Sequence, residues 1–269
     1  MDMWLLLLIL FGIALVATLV GFKKYVWFLS VGYGLAIAAL GIALIIMFWS
    51  KLSLVTVLGC AAFILYGCRL AGFLLYREFK SGSYKKGMEG EYAKKLPIFV
   101  MITMWIAVAA LYVMQVSPVF SRLYNVSTDN GSTDFVLPLI GVIVSFVGLF
   151  IETLADWQKS EQKKTAPDMV ATKGLYKIVR CPNYFGEILM WTGVFVGGIT
   201  AYKDFWQWAF AVFAYISIVY IMLDGAKRLE KRQNKRYGDK PEYQAYVKKT
   251  PIILPLIPLY HLVKKEEEK

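Results

Sequence analysis

A charged or strongly polar side chain at membrane depth is costly unless it binds, pairs or reacts, so such residues mark where chemistry can occur. Glu152 and Asp156 stand four apart, which puts both carboxylates on one helix face, and Gln158 follows them. Glu187 lies one turn into another apolar run. Arg69 sits about 10 Å inside the end of a third, at 1.5 Å per residue, with Tyr66 on the same face. Carboxylates can position a cofactor, and a buried phenol can polarise a carbonyl by donating to its oxygen as charge develops. Structural roles are open for the same residues: Arg69 paired with Glu152 or Glu187, Asp156 solvated at a helix end, Tyr66 packed with a satisfied hydroxyl.

Two further stretches carry polar chemistry. Gly174 to Glu187 runs from a turn through Arg180 to Pro182, whose missing N–H is harmless at a helix start. Asn183, Tyr184 and the first free amides then stand at a positive helix end, a favourable place for phosphate or carboxylate. Asp224 to Thr250 is strongly basic, with Tyr237, Tyr243 and Tyr246 interleaved. Such a segment can bind anionic lipid or fold over a pocket and meet the phosphates of a cofactor.

The elements that hold these residues follow from composition. Of 269 residues 58% are hydrophobic and 18% charged, which excludes an ordinary soluble domain. Seven stretches are long enough for a hydrocarbon core about 30 Å thick: 3–22, 25–49, 52–76, 96–118, 135–154, 184–202 and 205–223. The first opens with Asp2 and lacks a clear cleavage site, so it reads as a retained helix. Of the 30 Lys and Arg, 26 fall in loops on one side, which predicts the N-terminus outside and the C-terminus in the cytoplasm. The fold class expected is all-α and polytopic, in one membrane domain over 1–269. Within it 1–119 supplies four helices, 120–255 the polar sites and 256–269 a tail.

Other classes recede. The net charge of +11 is explained by membrane orientation, so no nucleic-acid partner is expected. With His261 the only histidine, clustered-His metal sites and His-based triads are excluded. Three scattered cysteines offer no disulfide framework. Asn125 and Asn130 begin sequons in what reads as an outer polar turn, and Gly193 with Gly197 suggests a close helix contact.

Arg180-Cys-Pro-Asn-Tyr-Phe-Gly-Glu187, with Asp156-Trp-Gln158 before it and Arg236-Tyr-Gly and Tyr243-Gln-Ala-Tyr246 after it, resembles the steroid 5α-reductase family, closest to its bacterial members. The resemblance covers about the last 120 residues. It implies NADPH held in the cytoplasmic half of seven helices and reduction of a carbon–carbon double bond conjugated to a carbonyl in a hydrophobic, steroid- or lipid-like substrate. By similarity Asp156, Asn183 and Glu187 contact the nicotinamide mononucleotide part of the cofactor, and Lys163, Arg180 and residues of the basic C-terminal segment meet its phosphates; Gln158, Tyr184, Arg228, Tyr237 and Tyr246 also belong to cofactor binding, Tyr246 within the family's C-terminal tyrosine motif. Tyr66-Gly-Cys-Arg69 resembles the third-helix motif whose tyrosine donates to the substrate carbonyl, with Arg69 and Glu152 in support. The implied setting is a bacterial inner membrane, with no metal and no obligate protein partner.

The sequence departs from the family pattern at definite places. Residues 25–49 contain no acid where the steroid-processing members carry a glutamate, Cys181 replaces a usual histidine, and Glu152 stands where some members have asparagine. No glycine-rich dinucleotide fingerprint occurs. Isoprenylcysteine carboxyl methyltransferases, which bind S-adenosylmethionine, share a similar Arg-x-Pro-x-Tyr-x-Gly helix start and basic tail, and they form the alternative class.

Overall fold

Apolar runs of twenty residues satisfy their backbone polar groups in lipid only as helices or closed barrels, and this chain uses helices. The computed structural model describes residues 2–80, 90, 96–128 and 134–263. Among them there is no strand, and eight α-helices carry the chain: α1 (Met3–Thr18), α2 (Val31–Met47), α3 (Leu54–Lys80), α4 (Ile98–Thr128), α5 (Val136–Thr165), α6 (Pro182–Gly198), α7 (Phe205–Tyr237) and α8 (Pro241–Lys249). Seven helical segments are long and apolar enough to cross a membrane, as the sequence predicts, and they make this an integral membrane protein. The chain divides into two units: Met1–Val142 with Val194–Ala214, and Ile143–Gly193 with Tyr215–Lys269.

In the first unit α2 and α3 approach until backbone meets backbone. A Cβ on Gly67 would lie 2.2 Å from the Gly34 carbonyl oxygen, and one on Gly41 would lie 3.0 Å from that of Cys60. Lipid offers no hydrophobic drive between helices, so small residues that admit close van der Waals contact set the pairing. The end of α3 is clasped by Glu78, which accepts from the Trp27 indole at 2.9 Å and pairs with Lys24.

Four helices run past the predicted spans, α3 by one turn to Lys80 and three others by much more. At 1.5 Å per residue, the 33 residues of α7 extend about 50 Å, so the first half of the basic segment continues the last span. α5 likewise continues to Thr165 and carries Asp156 to Lys163. α4 reaches Thr128, so Asn125 stands in a helix and not in an outer turn. There it is buried and donates to the Ala201 carbonyl at 2.5 Å and to Gln207 at 2.8 Å. Asn130 lies outside the described residues.

In the second unit the tight crossing is between α5 and α6. A Cβ on Gly148 would lie 2.3 Å from the Met190 nitrogen, and one on Gly186 would lie 2.6 Å from that of Glu152. In the first unit Gly197, singled out from the sequence, meets Gly141 only at ordinary contact distance, 3.7 Å. Gly67→Ala and Gly186→Ala therefore each lower stability by roughly 1–3 kcal/mol by overpacking a backbone contact. Gly12→Ala, which meets nothing within 4 Å, does not. Thermal unfolding of the three purified variants in detergent checks the order.

Candidate functional site

The second unit contains a cavity of about 240 Å³ built where the helix extensions meet. Lys159 and Lys163 of α5, Arg180 just before α6, and Arg232 and Arg236 of α7 supply five cations. Tyr176, Tyr237 and Tyr246 add three phenols and Asn183 an amide, and no acidic residue lines it among the described residues. The α5 pair is spaced i, i+4. Leu229, Arg232, Gln233, Arg236 and Tyr237 form one face of α7 at the i, i+3, i+4, i+7, i+8 spacing.

The loop before α6 is shaped by glutamines. Gln162 Oε1 accepts from the Thr172 and Lys173 amides, each at 2.9 Å, and Gln158 Oε1 accepts from the Leu175 amide at 2.8 Å. Gly174 takes φ +66° directly against Gln158, a left-handed conformation that glycine adopts without strain. Tyr246 donates to the Tyr176 carbonyl at 2.6 Å, which fixes α8 over the loop. Lys163 donates to the Tyr237 hydroxyl at 3.1 Å and to the Pro167 carbonyl at 3.0 Å. The Tyr237 ring faces the cations of Lys163, Arg236 and Lys240 at 5.4–5.6 Å. Arg236 also pairs with Asp168 at 2.8 Å.

Arg180 is the most buried cation of the lining, 3% exposed. Its Nη2 pairs with Glu230 at 3.0 Å and also donates to the Tyr260 carbonyl. Its Nε and Nη1 are buried without a hydrogen bond of ordinary geometry, and the Tyr243 phenol stands beside the guanidinium. Glu230 in turn accepts from the Leu262 and Val263 amides at 2.8 and 3.0 Å and lies 3.1 Å from His261 Nδ1.

Of the residues singled out from the sequence, Lys163, Arg180, Asn183, Tyr237 and Tyr246 meet in this lining. Gln158 is engaged by the loop backbone, and Arg228 pairs with Asp224 at 2.8 Å on an exposed face. Asp156 is half-buried beside Tyr176, while Glu152 and Glu187 are buried at the α5–α6 crossing. Tyr184 packs under the C-terminal segment against Cys181 and Ile252. Tyr66 and Arg69 belong to the first unit. There the fully buried Tyr66 meets Tyr33 of α2 edge to face at 5.7 Å, and Tyr33 stacks on Tyr112 of α4 at 4.8 Å. Tyr33 thus stands on the helix that lacks an acid. Arg69 lies over the Phe73 ring at 5.8 Å. Lys159, Tyr176 and Glu230 were not singled out from the sequence, and Arg232 and Arg236 entered only through the basic segment and the Arg236-Tyr-Gly motif; the helical spacing on α7 was the available signal.

A scan against known families matches one described as a protein of unknown function, DUF1295, over residues 12–250. The chain belongs to the DUF1295 family. No curated protein and no solved structure matches this family member.

Burial pushes the Cys181 thiol from the ordinary 9.0 up to about 12 and the Tyr243 phenol from 10.0 up to about 12. Tyr176 and Tyr246 are raised by burial as well. A folded pKa above the unfolded one favours the protonated form in the fold. The stability this gives is complete below the ordinary value and is lost as pH rises through the shifted one. Stability therefore falls between about pH 9 and pH 12, and unfolding curves at stepped pH read it; a flat profile would show that these groups ionise freely in the fold. Separately, Glu230→Ala strands the buried Arg180 and releases two amides, for a loss of roughly 3–5 kcal/mol in equilibrium unfolding.

Proposed function

We propose that the protein is a membrane-embedded, NADPH-dependent reductase of a carbon–carbon double bond conjugated to a carbonyl in a hydrophobic, steroid- or lipid-like substrate. The observation that carries this reading is the lining of the second unit's cavity, with five cations, three phenols and no acidic residue among the described ones. A ligand with several phosphates suits that field. S-adenosylmethionine suits it poorly, because its sulfonium and ammonium would enter a region already positive. The Nε and Nη1 of Arg180 fit as well: buried donors require acceptors, and phosphate oxygens supply them. The cavity's volume suits the phosphate-bearing part of a dinucleotide.

When bound, NADPH supplies the hydride. Lys159, Lys163, Arg180, Arg232 and Arg236 would hold its phosphates, and Asn183 would donate to a neighbouring sugar or amide oxygen. Asp156 and Glu187 are assigned to the nicotinamide side by resemblance. Tyr66 would donate its hydroxyl hydrogen to the substrate carbonyl oxygen, a bond that strengthens as negative charge gathers there. Its packing with Tyr33 supports a fixed ring orientation. The apolar helices exclude water and admit a lipid-like substrate. The Lys and Arg bias supports an outside N-terminus and a cytoplasmic C-terminus, and with that orientation the cavity would open on the cytoplasmic side of an inner membrane.

NADPH and S-adenosylmethionine titrated against the detergent-purified protein decide between the two classes. NADPH at about 100 times its Kd stabilises the native state by about 2.7 kcal/mol, readable as a thermal shift. Arg232→Ala and Lys159→Ala each weaken it about tenfold, the loss of roughly one charged hydrogen bond. Stabilisation by S-adenosylmethionine alone would transfer the cavity to methyl transfer. Once a substrate is found, Tyr66→Phe lowers turnover about 100- to 1,000-fold with NADPH affinity unchanged; wild-type turnover would return Tyr66 to packing.

A further inference from the structure

Residues 251–263 form a strap tied to the head of α6. The Arg180 amide donates to the Pro251 carbonyl at 2.9 Å, the Cys181 amide to Ile252 at 2.8 Å, and the Ile252 amide to Leu259 at 2.8 Å. Ile252 and Ile253 are buried against Cys181, Met222 and Ala226, with Phe185, Ile188 and Ile221 packed around them. Phe185, Ile188, Ile221 and Met222 lie within the segments long and apolar enough to span a membrane. The strap therefore packs on the first turns of the apolar run of α6 and the last turns of that of α7.

Its tip is oriented against the rule followed by the rest of it. Leu256 is fully exposed, Ile257 is half exposed, and prolines 255 and 258 flank them. Leu256 also takes φ +66°, among the described residues the only non-glycine in the left-handed region. A leucine there is strained, and no burial of its side chain within the fold offsets the cost. Elsewhere in the second unit the large exposed apolar side chains stand on α5 and α7, as lipid-facing residues do, with Ile178 the exception beside Arg180. Exposed cations stand near the strap: Lys248 and Lys249 precede Pro251 in sequence, and Lys177 lies three residues before Arg180, whose amide the strap binds.

We propose that the Leu256–Ile257 tip is seated in the bilayer, in the boundary between headgroups and acyl chains, with Lys177, Lys248 and Lys249 against anionic headgroups. Apolar side chains beside lysines match that interface on both counts. The strap also carries the Tyr260 carbonyl and the Leu262 and Val263 amides that hold Arg180 and Glu230. Its lipid seat and the most buried cation of the cavity are thus one packed body. The inference stands independently of the reductase reading, since it needs only the strap and the membrane.

The test is a Leu256→Cys variant of the full chain on a Cys68→Ser background, Cys60 and Cys181 being buried. It is reconstituted in nanodiscs of phosphatidylethanolamine and phosphatidylglycerol, with Glu242→Cys as the exposed control. Expected are labelling by a charged maleimide several-fold slower than the control, and blue-shifted bimane emission quenched by lipids with shallow nitroxides. Labelling at the control rate with water-like emission would overturn the proposal. So would shielding without lipid quenching, which would place protein, and not lipid, over the tip. Leu256 touches nothing that the fold requires, and the thermal transition of the variant confirms that it is folded before labelling.

Discussion

Two opposite charges taken out of water organise the second unit. Arg180 and Glu230 lie 3.0 Å apart with side chains 2% and 0% exposed, and neither would be tolerated there alone. Desolvation of such a pair consumes much of its Coulomb attraction, so its effect is to specify one arrangement. Glu230 satisfies its remaining lone pairs with the Leu262 and Val263 amides, and Arg180 donates to Tyr260. One ion pair thereby joins the start of α6, the C-terminal part of α7 and residues 260–263. The same Arg180 lines the cavity, so the geometry of the cavity follows from a bond made for folding.

Around that pair, packing obeys the rules of lipid. Gly34, Gly41 and Gly67 in the first unit and Gly148 and Gly186 in the second let helix backbones touch, because dispersion contact replaces the hydrophobic drive that lipid removes. Where α5 and α7 leave the apolar layer they stay helical and turn polar on one face. That continuation puts Lys159, Lys163, Arg232 and Arg236 around one space. The cavity is thus a product of helix length as much as of residue type.

The family assignment gives this chain a class of unknown function, and the catalytic reading rests on the electrostatics of the lining and on the resemblance of residues 156–187. Several sequence expectations changed meaning in three dimensions. Gln158 was expected at a cofactor, and its amide oxygen is taken by the Leu175 backbone. Asn125 was expected in a polar turn, and it is buried in α4 against Gln207. Arg228 was expected at the cofactor, but four residues short of Arg232 it faces outward to Asp224. In each case the side chain's direction was decided by how far a helix continues, a quantity hydropathy does not report because the continuation is polar.

The sequence by itself determined the all-helical class, the seven apolar segments and the concentration of polar residues between 152 and 187. These follow from backbone hydrogen bonding in lipid and from the cost of charge at depth, both of which are local properties. Tertiary structure alone decided which cations share a cavity, that Glu230 would be buried on Arg180, and that Tyr33 would face Tyr66. Those outcomes depend on helix rotation and on contacts between residues 50 or 33 positions apart. No local pattern encodes such contacts, because each is set by what the opposite helix presents.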